Sequence, residues 1–372
     1  MKTITCIIVL MSVVACVSDG DYRKINREGV EKFSIIKSKS AHNLPFKKES
    51  YFIPMETAEE YMLGEVEKVL ANDSCVFIAD NQKVVCYDLN GEMSEGHIRY
   101  GIKDIGAGPG EYFKIVDVAI NNQFLFVYDD RKINCYDIKN GKYLKTIKLD
   151  FAAKELSALQ DHLIFYTSSF QNHPPNGYEL IVVNIHNGSQ ARYFKHQSKY
   201  LGSSEGNQLS RKGNDVFYCS PYRNIVYRFD DFAVPQPFMV LVFDQANTVF
   251  DLALEETIHT PQDLKDGNCN CYFNNLLKTG DFWSIQFTFM GHQQAAWCNS
   301  QKSDSTYIVG ATIGKQTEFK DCIIMPVDSW QVARFNPELF KENKEALKMY
   351  SKVLNVDEHD NPCLLVKKIR VR

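Results

Sequence analysis

Several stretches of the chain carry residue types that could do chemistry. The segment DIGAGPGEYFKIVDVAI, residues 104–120, crowds Gly106, Gly108 and Gly110 around Pro109, a composition suited to a phosphate-binding loop. A dinucleotide loop needs a third glycine three positions after the second, and a helix N-terminus to hold the anion. Here Glu111 follows Gly110 directly, Pro109 removes a backbone N–H, and IVDVAI reads as a strand. No Lys-Ser/Thr pair follows, so the loop reads as a strand-to-strand turn. GSSEG, residues 202–206, places Ser204 in the string of a nucleophile elbow, which requires a strand, a sharp turn and a helix. The text that follows, NQLSRKGND, reads as loop leading to a strand, so Ser204 belongs to a polar loop. DEHD, residues 357–360, packs three carboxylates beside His359 and reads as a solvated turn. His162, His173, His186 and His196 lack metal-ligand spacing, and Cys269 and Cys271 have no second pair at finger-like spacing. These strings give no catalytic set, no metal site and no cofactor.

The elements around them are strands. Of 372 residues, 44% are hydrophobic and 12% aromatic, with 24 Phe and 19 Tyr, a composition that favours pleated, half-buried surfaces. A formal charge of -4 without a basic run excludes a nucleic-acid footprint. VFIADNQKVVCYDLNGE, from Val76, repeats as LFVYDDRKINCYDIKNGK, from Leu125: Asp80 maps to Asp129 and Tyr87 to Tyr136, each 49 residues on. Weaker copies fall near 162–188, 215–231, 282–300 and 321–335. A period of about fifty residues holding four strands is a propeller blade. The expected fold is therefore all-β, a six-bladed β-propeller spanning 46–372. One C-terminal helix, capped by Asn336 with Pro337 in its first turn, is expected to pack outside. The last strand, PCLLVKKIRV, is expected to close the ring against ESYFIPME.

The first twenty residues, MKTITCIIVLMSVVACVSDG, combine a short positive region with an apolar stretch too short to span a bilayer. Val13-Val14-Ala15-Cys16 resembles the lipobox of bacterial lipoproteins. That resemblance implies a signal peptide over 1–15, a lipid on Cys16 and a tether over 16–45. Val17 in place of aspartate implies the outer membrane, with either face open. The nine cysteines beyond Cys16 are odd in number and sit mostly in apolar strand text, as small buried hydrophobes do.

The string G-x-G-P-G-E-Y, then IVDVAI, FLFVYDD and KINCYD, looks like an NHL-type repeat. More closely, with YFIPMETAEE near the start and HDNPCLLVKKI near the end, the chain resembles six-bladed β-propeller lipoproteins of Gram-negative gut-type anaerobes. The echo covers about 50–372. It implies that Gly106, Gly108, Pro109, Gly110 and Glu111 are an architectural signature. It also implies an envelope binding or protein-interaction scaffold, with an envelope protein or a glycan fragment as partner. The contrasting expectation is a channel-metal hydrolase or lyase of lactonase type. Propeller ligands sit at the channel mouth, which makes Tyr112 and Asp117 the candidate binding residues. The segment from Ser168 to Glu179 is a candidate binding loop.

Overall fold

The computed structural model describes residues 30–34, 39–40, 46–89, 95–130, 132–167, 177–195, 206–221, 223–242, 247–248, 269–289, 292–300, 306–310, 316–319, 322–336 and 343–371. Cys16, the signal segment, Ser204, His173, His196 and most of the candidate loop after Ser168 lie outside these residues.

The chain forms six sheets around a ring. Three strands come first: β1 (Glu31–Ser34), β2 (Lys39–Ser40) and β3 (Phe46–Ile53). Blade one then holds β4 (Lys68–Ala71), β5 (Cys75–Ala79), β6 (Val84–Leu89) and β7 (Gly96–Ile102). Blade two holds β8 (Asp117–Ile120), β9 (Phe124–Asp129), β10 (Lys132–Asp137) and β11 (Tyr143–Lys148). Blade three holds β12 (Glu155–Leu159), β13 (His162–Tyr166), β14 (Tyr178–Asn184) and β15 (Gln190–Lys195). Blade four is β16 (Leu209–Lys212), β17 (Asp215–Cys219), β18 (Ile225–Phe229) and β19 (Pro235–Val242). Blade five is built from β20 (Asn247–Thr248), β21 (Cys269–Thr279), β22 (Phe282–Phe289), β23 (His292–Asn299) and β24 (Thr306–Gly310). Blade six uses β25 (Thr317–Phe319), β26 (Cys322–Val327), the C-terminal β27 (Cys363–Val371) and, as its outermost strand, β3.

Both faces of a blade are covered by its neighbours. That is why a strand such as β5, CVFIA, is buried at every position instead of alternating. The cores lie between blades. Phe77, Tyr112, Val118 and Tyr136 join blades one and two. Phe126, Leu156, Phe165 and Val183 join two and three, and further clusters carry the pattern around the circle. Ile53, Val76, Val85, Ile324, Leu364 and Val366 fill the last gap, between blades six and one.

Ring closure is as expected from the two ends of the sequence. β27 and β3 pair antiparallel from Leu364↔Ile53 to Val371↔Phe46. The six sheets also correct four local readings. Part of the stretch read as tether is sheet: β1 pairs parallel with β19, and β2 with β24. Phe33, 1% exposed in the core between blades four and five, supplies the burial that holds β1 there. NQLSRKGND contains a strand, since Leu209–Lys212 is the innermost strand of blade four. The end of the sixth repeat is helical: α1 spans Ser329–Ala333. Among the described residues the single long helix is not seen either, since Asn336 and Asn343 are both non-helical. Pro337 disfavours helix at the residue before it, so α1 ends ahead of Asn336. A second helix, α2 (Lys344–Tyr350), starts at Asn343, whose side chain accepts from Ala346 N at 3.0 Å. Phe52, Val332, Val353 and Cys363 pack these helices outside blade six, with the Phe335 ring 3.6 Å from that of Tyr350. Among the described residues no helix is long and apolar enough to cross a membrane.

The fully buried Leu364 sits in the closing strand. Leu364→Ala is expected to cost about 2–5 kcal/mol, read as a lower urea midpoint at unchanged slope.

Candidate functional site

The innermost strands β4, β8, β12, β16, β21 and β25 surround a central cavity of about 410 Å³. Its wall carries the cations Lys68, Arg211 and Lys212, the amides Asn122, Asn207, Asn214 and Asn275, and the acids Asp73 and Glu318. A smaller chamber of about 210 Å³ adjoins one end, where β8, β12 and β16 turn into their next strands. Arg211, Asn122 and Asn214 line both spaces.

Carboxylates stitch the inner strands together. Asp117, at the start of β8, pairs with Lys68 of blade one at 3.0 Å and accepts from Leu156 N of blade three at 2.6 Å. Glu155, at the start of β12, accepts from Gln208 N and Leu209 N of blade four at 2.8 and 2.9 Å. Asn207 N donates to Asn275 Oδ1 at 2.9 Å, linking blades four and five. Glu318 of blade six accepts from Lys278 N and pairs with Lys212 at 3.4 Å. Between blades six and one the work falls to Asn361. Its Oδ1 accepts from Leu63 N at 2.8 Å, and its Nδ2 donates to Tyr87 Oη at 3.0 Å. Burial raises the Glu155 carboxyl to about 7, against the opposing pull of Lys68, and raises Glu318 to about 7 against Lys212.

The expected site residues separate into two groups. Asp117 is buried behind the lining residue Lys68, not itself part of the cavity wall, and serves as a stitch between three blades. Tyr112 does not face the channel: it is fully buried between blades one and two, and its hydroxyl donates to Gln82 O at 2.8 Å and approaches Ile102 O at 3.0 Å. The aromatic that follows the glycine loop faces inward because the blade crossing needs a large apolar wedge with a polar tip. The loop itself folds on its own glutamate. Glu111 Oε2 accepts from Gly108 N at 2.7 Å, and the Glu111 carbonyl accepts from Lys132 Nζ and Asn134 Nδ2 at 2.8 and 2.9 Å. Tyr136 Oη donates to Gly110 O at 2.5 Å. Gly110 sits at φ 81°, and a Cβ there would stand 2.9 Å from the Tyr143 ring. The Glu111 carboxylate occupies the Gly108 N–H, and backbone carbonyls take those of Gly106, Glu111 and Tyr112, so these donors are not free for a phosphate.

Asp357–Asp360 is an exposed turn held by Asp357 N on Asp360 Oδ2 at 2.8 Å and His359 N on Asp357 Oδ1 at 3.0 Å. His186 is exposed beside Asp161, and His162 is half-buried. Cys75, Cys86, Cys135, Cys219, Cys298, Cys322 and Cys363 are buried free thiols. Among the described residues no group of three His, Cys, Asp or Glu side chains converges as a metal site would require. Sequence reasoning missed Lys68, Glu155, Arg211 and Asn361. One signal for Arg211 was available: a tight Gly213-Asn214 turn before the strand DVFYC requires an inner strand just ahead of it.

Six inner strands around one cavity, interblade cores and a final blade built from both chain ends define a six-bladed β-propeller. Residues 39–368 match the family described as Domain of unknown function (DUF4934), and the chain belongs to that family. Among solved structures, the fold is similar to that of a Bacteroides fragilis protein described as "Putative exported protein", with 15% identity, a TM-score of 0.69, and coverage of 92% of this chain and 99% of that one. BamB from Moraxella catarrhalis (13% identity, TM-score 0.40, 75% of this chain and 72% of that one) is a looser match. So is virginiamycin B lyase from Staphylococcus aureus (12%, 0.42, 75% and 81%). Comparison with curated proteins returned no match.

Two outcomes follow from this geometry. Glu155 and Glu318 bind protons more tightly in the folded chain than in the unfolded one, where the carboxyl returns to about 4.5. Stability should therefore rise as pH falls from about 7 towards 4.5 and level off above 7, by on the order of 3 kcal/mol for fully buried Glu155. Urea unfolding across this range checks the sign, and Glu155→Gln should flatten the slope. Gly110→Ala should cost about 1–3 kcal/mol, measured the same way, through positive φ and the Tyr143 contact.

Proposed function

We propose that this chain is a lipid-anchored propeller of the outer membrane that works as a binding scaffold for an envelope protein or a glycan fragment. The observation that carries the binding reading is the central cavity of about 410 Å³, walled by all six blades and framed by side chains already tied to each other. Ligand sites are commonly such concave, preformed spaces of ~300–1,000 Å³. The envelope half rests on Val13-Val14-Ala15-Cys16 and is supported by the exported description of the Bacteroides fragilis relative in fold. Several acyl chains at ~0.8 kcal/mol per buried CH₂ would hold such a chain firmly. At ~3.5 Å per residue the segment from Cys16 to Val30 keeps the ring within roughly 50 Å of that anchor.

Metabolic labelling with an alkyne fatty acid tests the anchor. The wild-type chain should label and fractionate with the outer membrane, whereas Cys16→Ala should do neither. Full labelling of Cys16→Ala, or an unlabelled soluble wild type, would overturn the proposal. Reversible crosslinking in intact envelopes then reads out the partner.

A further inference from the structure

Three cations line the cavity, and two of them are neutralised: Lys68 by Asp117 and Lys212 by Glu318. Arg211 is different. Its Nε donates to Gly213 O at 2.7 Å, and its Nη1 donates to Ile120 O of blade two, two blades away. Both acceptors are neutral carbonyls, and no carboxylate lies within ion-pair distance of the guanidinium among the described residues. A guanidinium has five N–H donors. Both hydrogens on Nη2 and one on Nη1 remain, the edge that grips a carboxylate in a two-pronged fashion. Burial makes the charged state costly here, depressing the Arg211 pKa against the favourable field of Asp73.

The chamber beyond Arg211 has its own chemistry. Asn121, Asn122, Gln123, Gln160 and Asn214 supply amides to it, and Ala158 is its one apolar wall residue. Asn122, Gln123 and Asn214 are exposed, and their side-chain amides make no hydrogen bond to the described chain. An amide offers both donors and acceptors, as a hydroxyl does, so such a wall suits a polyhydroxylated ligand. Two acids share these walls without pairing with the guanidinium: Asp161 lines the chamber and faces His186 at 3.2 Å, and Asp73 lines the larger cavity and is exposed.

We propose that Arg211 anchors the carboxylate of an acidic sugar, a uronic acid unit, with Asn122, Gln123 and Asn214 holding its hydroxyls at this end of the channel. The inference rests on the scaffold reading above and names the ligand class for it.

The test uses the full-length protein in detergent and isothermal titration with galacturonate and glucuronate, against galactose, glucose, inorganic phosphate and sulfate. Uronates should bind at least about tenfold more tightly than their neutral parents. Arg211→Gln should remove that difference while the melting temperature stays within a few degrees. Arg211→Lys, which keeps the charge and loses the fork, should give an intermediate loss, and Asn214→Ala should weaken uronates several-fold. Equal binding of acidic and neutral sugars, no uronate binding by the folded wild type, or an Arg211→Gln affinity equal to wild type would each overturn the inference. Phosphate or sulfate bound as tightly as a uronate would replace the sugar site by a plain anion site. These readouts are independent of Cys16 labelling and partner crosslinking, so this inference can fail while the scaffold reading stands.

Discussion

A circle of sheets has no natural end, and a strand left unpaired at the seam would expose a row of backbone N–H and C=O groups. In this chain the seam is shut by β3 against β27, residues more than three hundred positions apart. The rest of the ring depends on that pairing. Each interblade core is shared by two blades, so opening one seam uncovers half of the Ile53–Leu364–Val366 cluster and frees both neighbours to splay. Asn361, just before β27, locks the same seam from the polar side by gathering Leu63 and Tyr87.

Inside the ring the same constraint takes an electrostatic form. Inner strands of adjacent blades do not pair edge to edge along their length, and their backbone N–H groups need acceptors. Asp117, Glu155 and Glu318 provide them across the blade boundaries. Each of these carboxylates is committed to a partner on another blade, so they hold the inner strands in register. What the wall keeps available is concentrated where the stitching stops, at Arg211 and the amides beyond it.

The repeat seen in the sequence has a direct counterpart in hydrogen bonds. Asp80 accepts from Gly64 N at 2.8 Å, and Asp129 accepts from Phe113 N at 3.2 Å, so the 49-residue offset holds for donor and acceptor alike. In blades one and two the aspartate at the end of the second strand clamps the loop that leads into the blade. The glycine loop is one copy of that crossing, tightened by Glu111.

The sequence by itself determined the six-fold strand repeat, the closing ends and the role of the glycine loop as a turn. Those are local matters: strand text, turn residues and a fixed period report the backbone next to them. It misjudged the short strands Glu31–Ser34 and Leu209–Lys212, whose text is polar and whose strand state comes from neighbours that supply hydrogen bonds and cover Phe33. It also misplaced Tyr112, because a strand-flanking aromatic carries no mark of whether its side faces a channel or another blade. Only the tertiary structure decided which charges meet. Lys68 finds Asp117, Lys212 finds Glu318, and Arg211 reaches Ile120 from two blades away, because closing six sheets into a ring brings distant inner strands around one cavity.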